Sequence, residues 1–322
     1  MALTTRLSLT GPDTEDPEDL FGGSLGVIFA GEDVTNQHGD AEHGLLYTSP
    51  HLPRPFQLAL AEINEESDRH LFSHYLWNSS LLLAELIEAG TLGLPSWDKD
   101  CGDECKEVAR PPVSVFDVKG LSTIELGAGT ALPSIMAGLL GARRVVVTDY
   151  PSPPVLKTLR DNVKGAVRGK FAPSGRFNVK EVVVEGHKWG ELEGEEATPL
   201  PRENKHAFDR VFAADCLWMP WQHDNLRRSV AWFLGEGEDA RAWVVAAFHT
   251  GRGNMAPFFD KEALETVGLE VEHICERDCD GQEREWARDR GIEDVTARKR
   301  WHAIGILRRI RRSAGDGGEE SQ

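Results

Sequence analysis

Between Leu121 and Asp149 the chain reads LSTIELGAGTALPSIMAGLLGARRVVVTD, and no other stretch constrains the fold as strongly. An apolar strand, LSTIE, runs into the turn Gly127-Ala128-Gly129. A small-residue helix follows from about Ala131 to Leu140, and a second strand, RRVVVTD, ends on the carboxylate of Asp149. This is a βαβ unit suited to a nucleoside. The glycines let the backbone approach the ligand, the helix N-terminus faces it, and a carboxylate ending the second strand can accept both ribose hydroxyls.

Two nucleoside cofactors use such a unit. A dinucleotide wants G-x-G-x-x-G with its pyrophosphate on the helix N-terminus. Here Leu132 stands where the third glycine would be, and Pro133 sits in the first helical turn, where a missing N–H costs little. Glu125 lies two residues before Gly127; a carboxylate there repels a pyrophosphate and suits a cationic methionine moiety. The turn therefore fits S-adenosylmethionine better than NAD, and a dehydrogenase stays as a remote alternative. No G-x-x-x-x-G-K-[ST] occurs, which excludes a P-loop.

The rest of the chain alternates. Strands are expected at about 121–126, 143–148, 178–184, 208–215, 241–249, 269–275 and from about 300. Helices are expected at about 153–167, 222–234, 256–267 and 281–290, and before the sheet at 55–65 and 71–89. Seven strands with this first turn predict a doubly wound, mostly parallel α/β sheet. Residues 1–70 read as an N-terminal extension, poorly ordered over 1–20; residues 71–312 read as the main domain, and 313–322 as a disordered tail.

Composition excludes several classes. No apolar run reaches 18 residues, so no membrane span is expected, and the N-terminus lacks the apolar core of a secretory signal. A formal charge of −17 makes the chain a poor binder of nucleic acid and suits a cationic partner such as a basic protein tail, though acidity also serves solubility alone. Five cysteines, an odd count, read as reduced thiols of a cytoplasmic or nuclear protein. Cys101/Cys105 and Cys275/Cys279 form two C-x-x-x-C pairs, but the spacing lacks the turn residues of zinc sites, and no metal is expected. His38, His43 and His51 show no metal spacing and read as loop residues.

Ligands of such sheets sit at the carboxyl ends of the strands. That rule selects Gly127 and Gly129 after the first strand, Asp149 after the second, Trp189 after the third, and Ala214 and Asp215 after the fourth. Trp218 and Trp221 add aromatic faces, which suit cations and flat rings. Methyl transfer to nitrogen needs in-line approach of a neutral amine, and a carboxylate such as Asp215 can orient the amine as it loses its proton. Trp77 can cover the cofactor from the N-terminal side, although its spacing also fits simple core.

Five segments now combine: Leu76-Trp77-Asn78, Ile124 to Pro133, Val147-Thr148-Asp149-Tyr150-Pro151, His187-Lys188-Trp189-Gly190 and Asp215-Cys216-Leu217-Trp218. Over roughly residues 71–310 the chain resembles the seven-strand lysine methyltransferase-like family. It looks most like the fungal branch once called nicotinamide N-methyltransferase-like, which includes the methyltransferase of the N-terminus and adjacent lysine of elongation factor 1-alpha. The resemblance implies a class I, Rossmann-like fold and S-adenosylmethionine as cofactor. It implies cofactor contacts from Trp77, Gly127, Ala128, Gly129, Asp149, Trp189 and Ala214, to which the position of Glu125 beside the turn adds that residue, and an acceptor site at Asp215 and Trp218. The family's acidic-x-x-aromatic motif usually ends in Tyr or Phe; here it ends in Trp218. The expected activity is N-methylation of a lysine or terminal amine of a protein, by a monomer. A small-molecule amine acceptor and a non-catalytic binding subunit are the alternatives.

Overall fold

The computed structural model describes residues 3–10, 36–39, 43–61, 75–94, 111–194 and 197–311. Its centre is an eight-stranded sheet. In chain order the strands are β1 (Ser122–Leu126), β2 (Arg144–Asp149), β3 (Glu181–Gly186), β4 (Arg210–Ala214), β5 (Arg241–Ala247), β6 (Leu269–Asp278), β7 (Glu283–Glu285) and β8 (Trp301–Arg309). Their spatial order is β7-β6-β8-β5-β4-β1-β2-β3. β3, β2, β1, β4 and β5 run parallel; β8, β6 and β7 are added antiparallel. The order reverses between β1 and β4, and there the carboxyl ends of both strands open onto a crevice.

Helices cover both faces, which is why β1 and β4 are buried at every position. On one face lie α1 (Asn78–Leu92), α2 (Leu132–Leu140) and α3 (Pro153–Ala166), within one apolar cluster. On the other, α4 (His223–Phe233) packs within a second cluster with Phe208, Phe248 and Phe258. α1 is apolar nearly all round, so it is sandwiched rather than surface-bound. Its two acids are neutralised from outside. Arg6 Nη1 reaches Glu88 at 2.9 Å, Arg277 Nη2 reaches Glu85 at 3.1 Å, and the Ser49 hydroxyl donates to Glu88.

The differences from the sequence reading have physical causes. Within 1–20, Leu3–Arg6 forms a 3-10 turn and Leu7–Thr10 a strand, because Leu3 is buried and Arg6 is held by α1. The strands Leu7–Thr10, Gly44–Tyr47 and Phe56–Leu58 form a small antiparallel sheet whose Leu45, Tyr47, Phe56 and Leu58 join the same core as α1 and α2. Phe56–Leu58 is thus a strand where a helix is expected. Leu76–Trp77 is likewise a short strand, paired with Gln37–His38, and α1 begins only at Asn78. The helix expected at 256–267 is broken into Arg252–Met255, a 3-10 turn at Ala256–Phe259, and Lys261–Glu265, with Pro257 in the middle piece.

The largest difference is at 281–290. No helix forms; β7 folds back on β6 through a turn at Gly281, whose φ is 96°. The cause is Glu276, fully buried on β6. Its carboxylate takes Arg252 at 2.6 Å, Arg284 at 2.6 Å and the Ala287 N–H at 3.2 Å. A buried carboxylate must collect such partners, and an extended segment delivers them where a helix would carry Arg284 away. Residues 11–35 of the N-terminal extension, Cys101, Cys105 and the tail from 313 lie outside the described residues.

Candidate functional site

A cleft opens at the carboxyl ends of β1, β2 and β4. Tyr75, Trp77, Ser80, Gly127, Gly129, Asp149, Tyr150, His187, Lys188, Trp189, Ala214, Asp215, Cys216, Trp218, Met219 and Gln222 line it.

The first wall is the glycine turn. Gly127 and Gly129 have φ of 70° and 55°, a region open to glycine and unfavourable for other residues. A side chain at Gly127 would stand 2.8 Å from Cys216 Sγ and 2.9 Å from the Trp189 ring. Trp189 lies that close because its loop is pinned. The Ser229 hydroxyl on α4 accepts the Gly190 N–H at 2.9 Å and bonds His187 Nε2 at 3.0 Å. Burial holds His187 down to about 4, so it stays neutral in this role. Cys216 Sγ donates to the Leu126 carbonyl at 3.2 Å and its thiol is pushed up by burial; it fills space beneath the turn.

Asp149 closes this half. Its Oδ2 accepts the Gly129 N–H at 2.8 Å and its Oδ1 the Tyr150 N–H at 2.7 Å. Burial pushes the carboxyl up to about 6, against those two bonds. The second lone pair of each oxygen is still available to hydroxyl donors.

Glu125 and Ala128 do not line the cleft. Glu125 is wholly buried, and its Oε2 accepts the Ser134 N–H at 3.0 Å in the first turn of α2. It caps that helix instead of facing a ligand, and burial pushes it up to about 8. Ala128 is buried with its N–H on the Thr148 carbonyl. The two have separate causes: Glu125 is drawn onto the first turn of α2 by the Ser134 N–H, and Ala128 is turned onto β2 by its bond to Thr148.

The other wall is Asp215, beyond the end of β4. Its φ of 60° is rare for a residue with a side chain, and aspartate tolerates it better than most. The kink turns the carboxylate across the end of β5, where Oδ1 accepts the Ala247 N–H at 3.3 Å. Burial raises its carboxyl above the ordinary range, opposed by His249, by the Ala247 bond and by the Ser79 hydroxyl. Trp218 stands at the rim, edge-on to the exposed Trp221 at 6.4 Å.

The roof is Trp77. It makes an edge contact with Tyr75 at 6.2 Å and stacks on His249 at 5.0 Å. Its strand is held by Gln37–His38, and the His38 ring bonds Asn78 Oδ1 at 2.6 Å. His38 is therefore a structural partner, not a loop residue.

Of the expected residues, Trp77, Gly127, Gly129, Asp149, Trp189, Ala214, Asp215 and Trp218 come together. Tyr150, His187 and Lys188 were accessible to the strand-end rule, since they follow β2 and β3. Ser80 carries no such signal, because it lies on a helix with no polar face. No cluster of histidine, cysteine or acidic residues suited to a metal occurs among the described residues.

A doubly wound sheet with its glycine turn, its acid at the end of β2 and an acid-aromatic pair at the end of β4 is the class I methyltransferase arrangement. Residues 59–261 match the model of the lysine methyltransferase family, and the chain belongs to that family. It is an S-adenosylmethionine-dependent methyltransferase. The protein N-terminal and lysine N-methyltransferase EFM7 of Gibberella zeae is 30% identical over 216 residues, 65% of this chain and 70% of that one. Its namesake from Neurospora crassa is 28% identical over 180 residues, so the match spans about half of each chain, 54% and 53%. Among solved structures, the ribosomal protein L11 methylase of Lactobacillus delbrueckii superposes with a TM-score of 0.38 at 15% identity, covering 72% of this chain and 80% of that one.

Proposed function

We propose that this enzyme methylates a lysine or terminal amine of a protein. The observation that carries the reading is the Asp215 carboxylate, buried and lining the same cleft as Trp218 and Asp149. The printed names of the fungal relatives, protein N-terminal and lysine N-methyltransferases, agree with it. So does the charge of −17, which favours a basic partner such as the amine-bearing end of a translation elongation factor over nucleic acid.

In this reading Asp149 accepts the ribose hydroxyls, and the backbone of Gly127 and Gly129 lies against the nucleoside. Trp189 closes over it where a side chain at Gly127 would otherwise stand. Trp77 and Ala214 flank the methionine end. Bound S-adenosylmethionine supplies an electrophilic methyl on a sulfonium. Asp215 receives the amine, orients its nitrogen and, with its carboxyl lifted by burial, takes up the proton that an ammonium must lose. Trp218 offers its face to the cationic product. Tyr150 and Trp221, both exposed, extend the apolar rim outwards and fit a polypeptide better than a small amine, which would leave them uncovered.

The test is transfer of labelled methyl from S-adenosylmethionine to the host proteome by the purified chain, followed by mapping of the labelled residue. Label on a lysine or N-terminal amine is expected. Label confined to small molecules would sink the protein-acceptor reading.

A further inference from the structure

His249 lies two residues beyond β5 and touches both ends of the cleft without lining it. Its ring stacks on Trp77, with centroids 5.0 Å apart and planes at 23°. Its Nδ1 faces Asp215 Oδ1 at 3.8 Å, within ion-pair range and just beyond a hydrogen bond. That Nδ1 is buried and has no hydrogen-bond partner among the described residues. A buried polar nitrogen left without a partner is costly, so stacking alone would be served better by an apolar ring.

The backbone makes the contact possible. The Asp215 N–H bonds the Val245 carbonyl at 2.8 Å, and the Ala247 N–H bonds Asp215 Oδ1. The end of β5 therefore delivers His249 to the same carboxylate oxygen that it already anchors. His302, fully buried on β8, is held down to about 4 by burial and stays neutral.

We propose that His249 is a positioning residue that couples the two halves of the cleft, its ring steadying Trp77 over the donor and its Nδ1 aligning the Asp215 carboxylate for the amine. This rests on the methyl-transfer reading. The two arms separate by substitution. His249→Phe keeps a ring for Trp77 and removes the nitrogen. His249→Asn keeps a polar group towards Asp215 and removes the stack.

The test measures S-adenosylmethionine affinity by calorimetry without acceptor, and initial rates of label transfer at saturating donor, on the full chain. His249→Phe is expected to hold donor affinity within about twofold while kcat falls on the order of 10- to 100-fold, the effect of a misplaced reacting group. His249→Asn is expected to weaken donor affinity on the order of tenfold and to lose less kcat than the phenylalanine variant. Unchanged values in both variants would overturn the proposal. Equal losses in both, with or without a lowered Tm, would make His249 a packing residue and overturn it too. If the wild-type chain transfers no label, the functional reading has failed, and the donor measurements alone still decide the Trp77 arm.

Discussion

The donor half of the cleft and the acceptor half are built on opposite plans. The donor half, β1 to β2 with its glycine turn, is one contiguous stretch whose geometry is set by the backbone: two glycines at positive φ and a carboxylate tied to two N–H groups. The acceptor half gathers Asp215 from just beyond β4, Ala247 from the end of β5, His249 from just beyond it and Ser79 from α1, residues far apart in the chain. A site made by backbone is read locally and tolerates little change. A site gathered from separate elements depends on distant contacts and can be retuned.

The sharpest way to break this comparison is Asp215→Asn, which keeps shape and removes the proton acceptor. Label transfer is expected to fall by roughly 100-fold or more, with donor affinity within about twofold by calorimetry. A matching loss of donor affinity would show that the two halves are not separate. Asp149→Ala is its mirror. Donor Kd should rise by about 10- to 100-fold, because charge-assisted bonds to the ribose are lost. Unaltered affinity would mean that the ribose is held elsewhere.

Gly127→Ala asks whether the turn is as intolerant as its backbone implies. The added carbon meets Trp189 and Cys216 at a φ of 70°. We expect a stability loss of about 1–3 kcal/mol, read as a lower Tm, together with weakened donor binding.

The smallest effect concerns Glu125. Burial pushes its carboxyl up to about 8 from the ordinary 4.5, so the folded state holds a proton that the unfolded chain releases. That stability is full below about pH 4.5 and is lost as pH rises through about 8. Asp149 adds a similar slope that ends near pH 6. Glu125→Gln should therefore flatten the fall of Tm between pH 6 and 8 in the free enzyme and, below pH 6, leave only the share that Asp149 contributes. A wild-type slope in that window would place the titration elsewhere.

Much of this was legible in advance, and unevenly so. The five parallel strands follow apolar runs bounded by turns, and the strand-end rule finds Asp149, Trp189 and Asp215 because a parallel sheet presents its carboxyl ends together. Glu125 was misread because position beside the turn does not say which way a strand residue faces. β7 was misread because Glu283 to Arg290 owes its shape to Glu276, whose buried carboxylate gathers arginines separated from it in sequence. His249 was invisible as a site residue for the same reason: its meaning lies in Trp77 and Asp215, far from it along the chain.

The short pairing of Gln37–His38 with Leu76–Trp77 ties the N-terminal extension to the cleft. The roof of the cleft is fastened from a point well upstream of the sheet. A shortened version starting at Tyr75 would retain every residue that lines the cleft and still lose the fastening. Trimming the protein to its family-matched region, residues 59–261, would remove that hinge pin and the antiparallel strands β6 and β8 together. What looks like the minimal enzyme by likeness is therefore smaller than the minimal enzyme by mechanics.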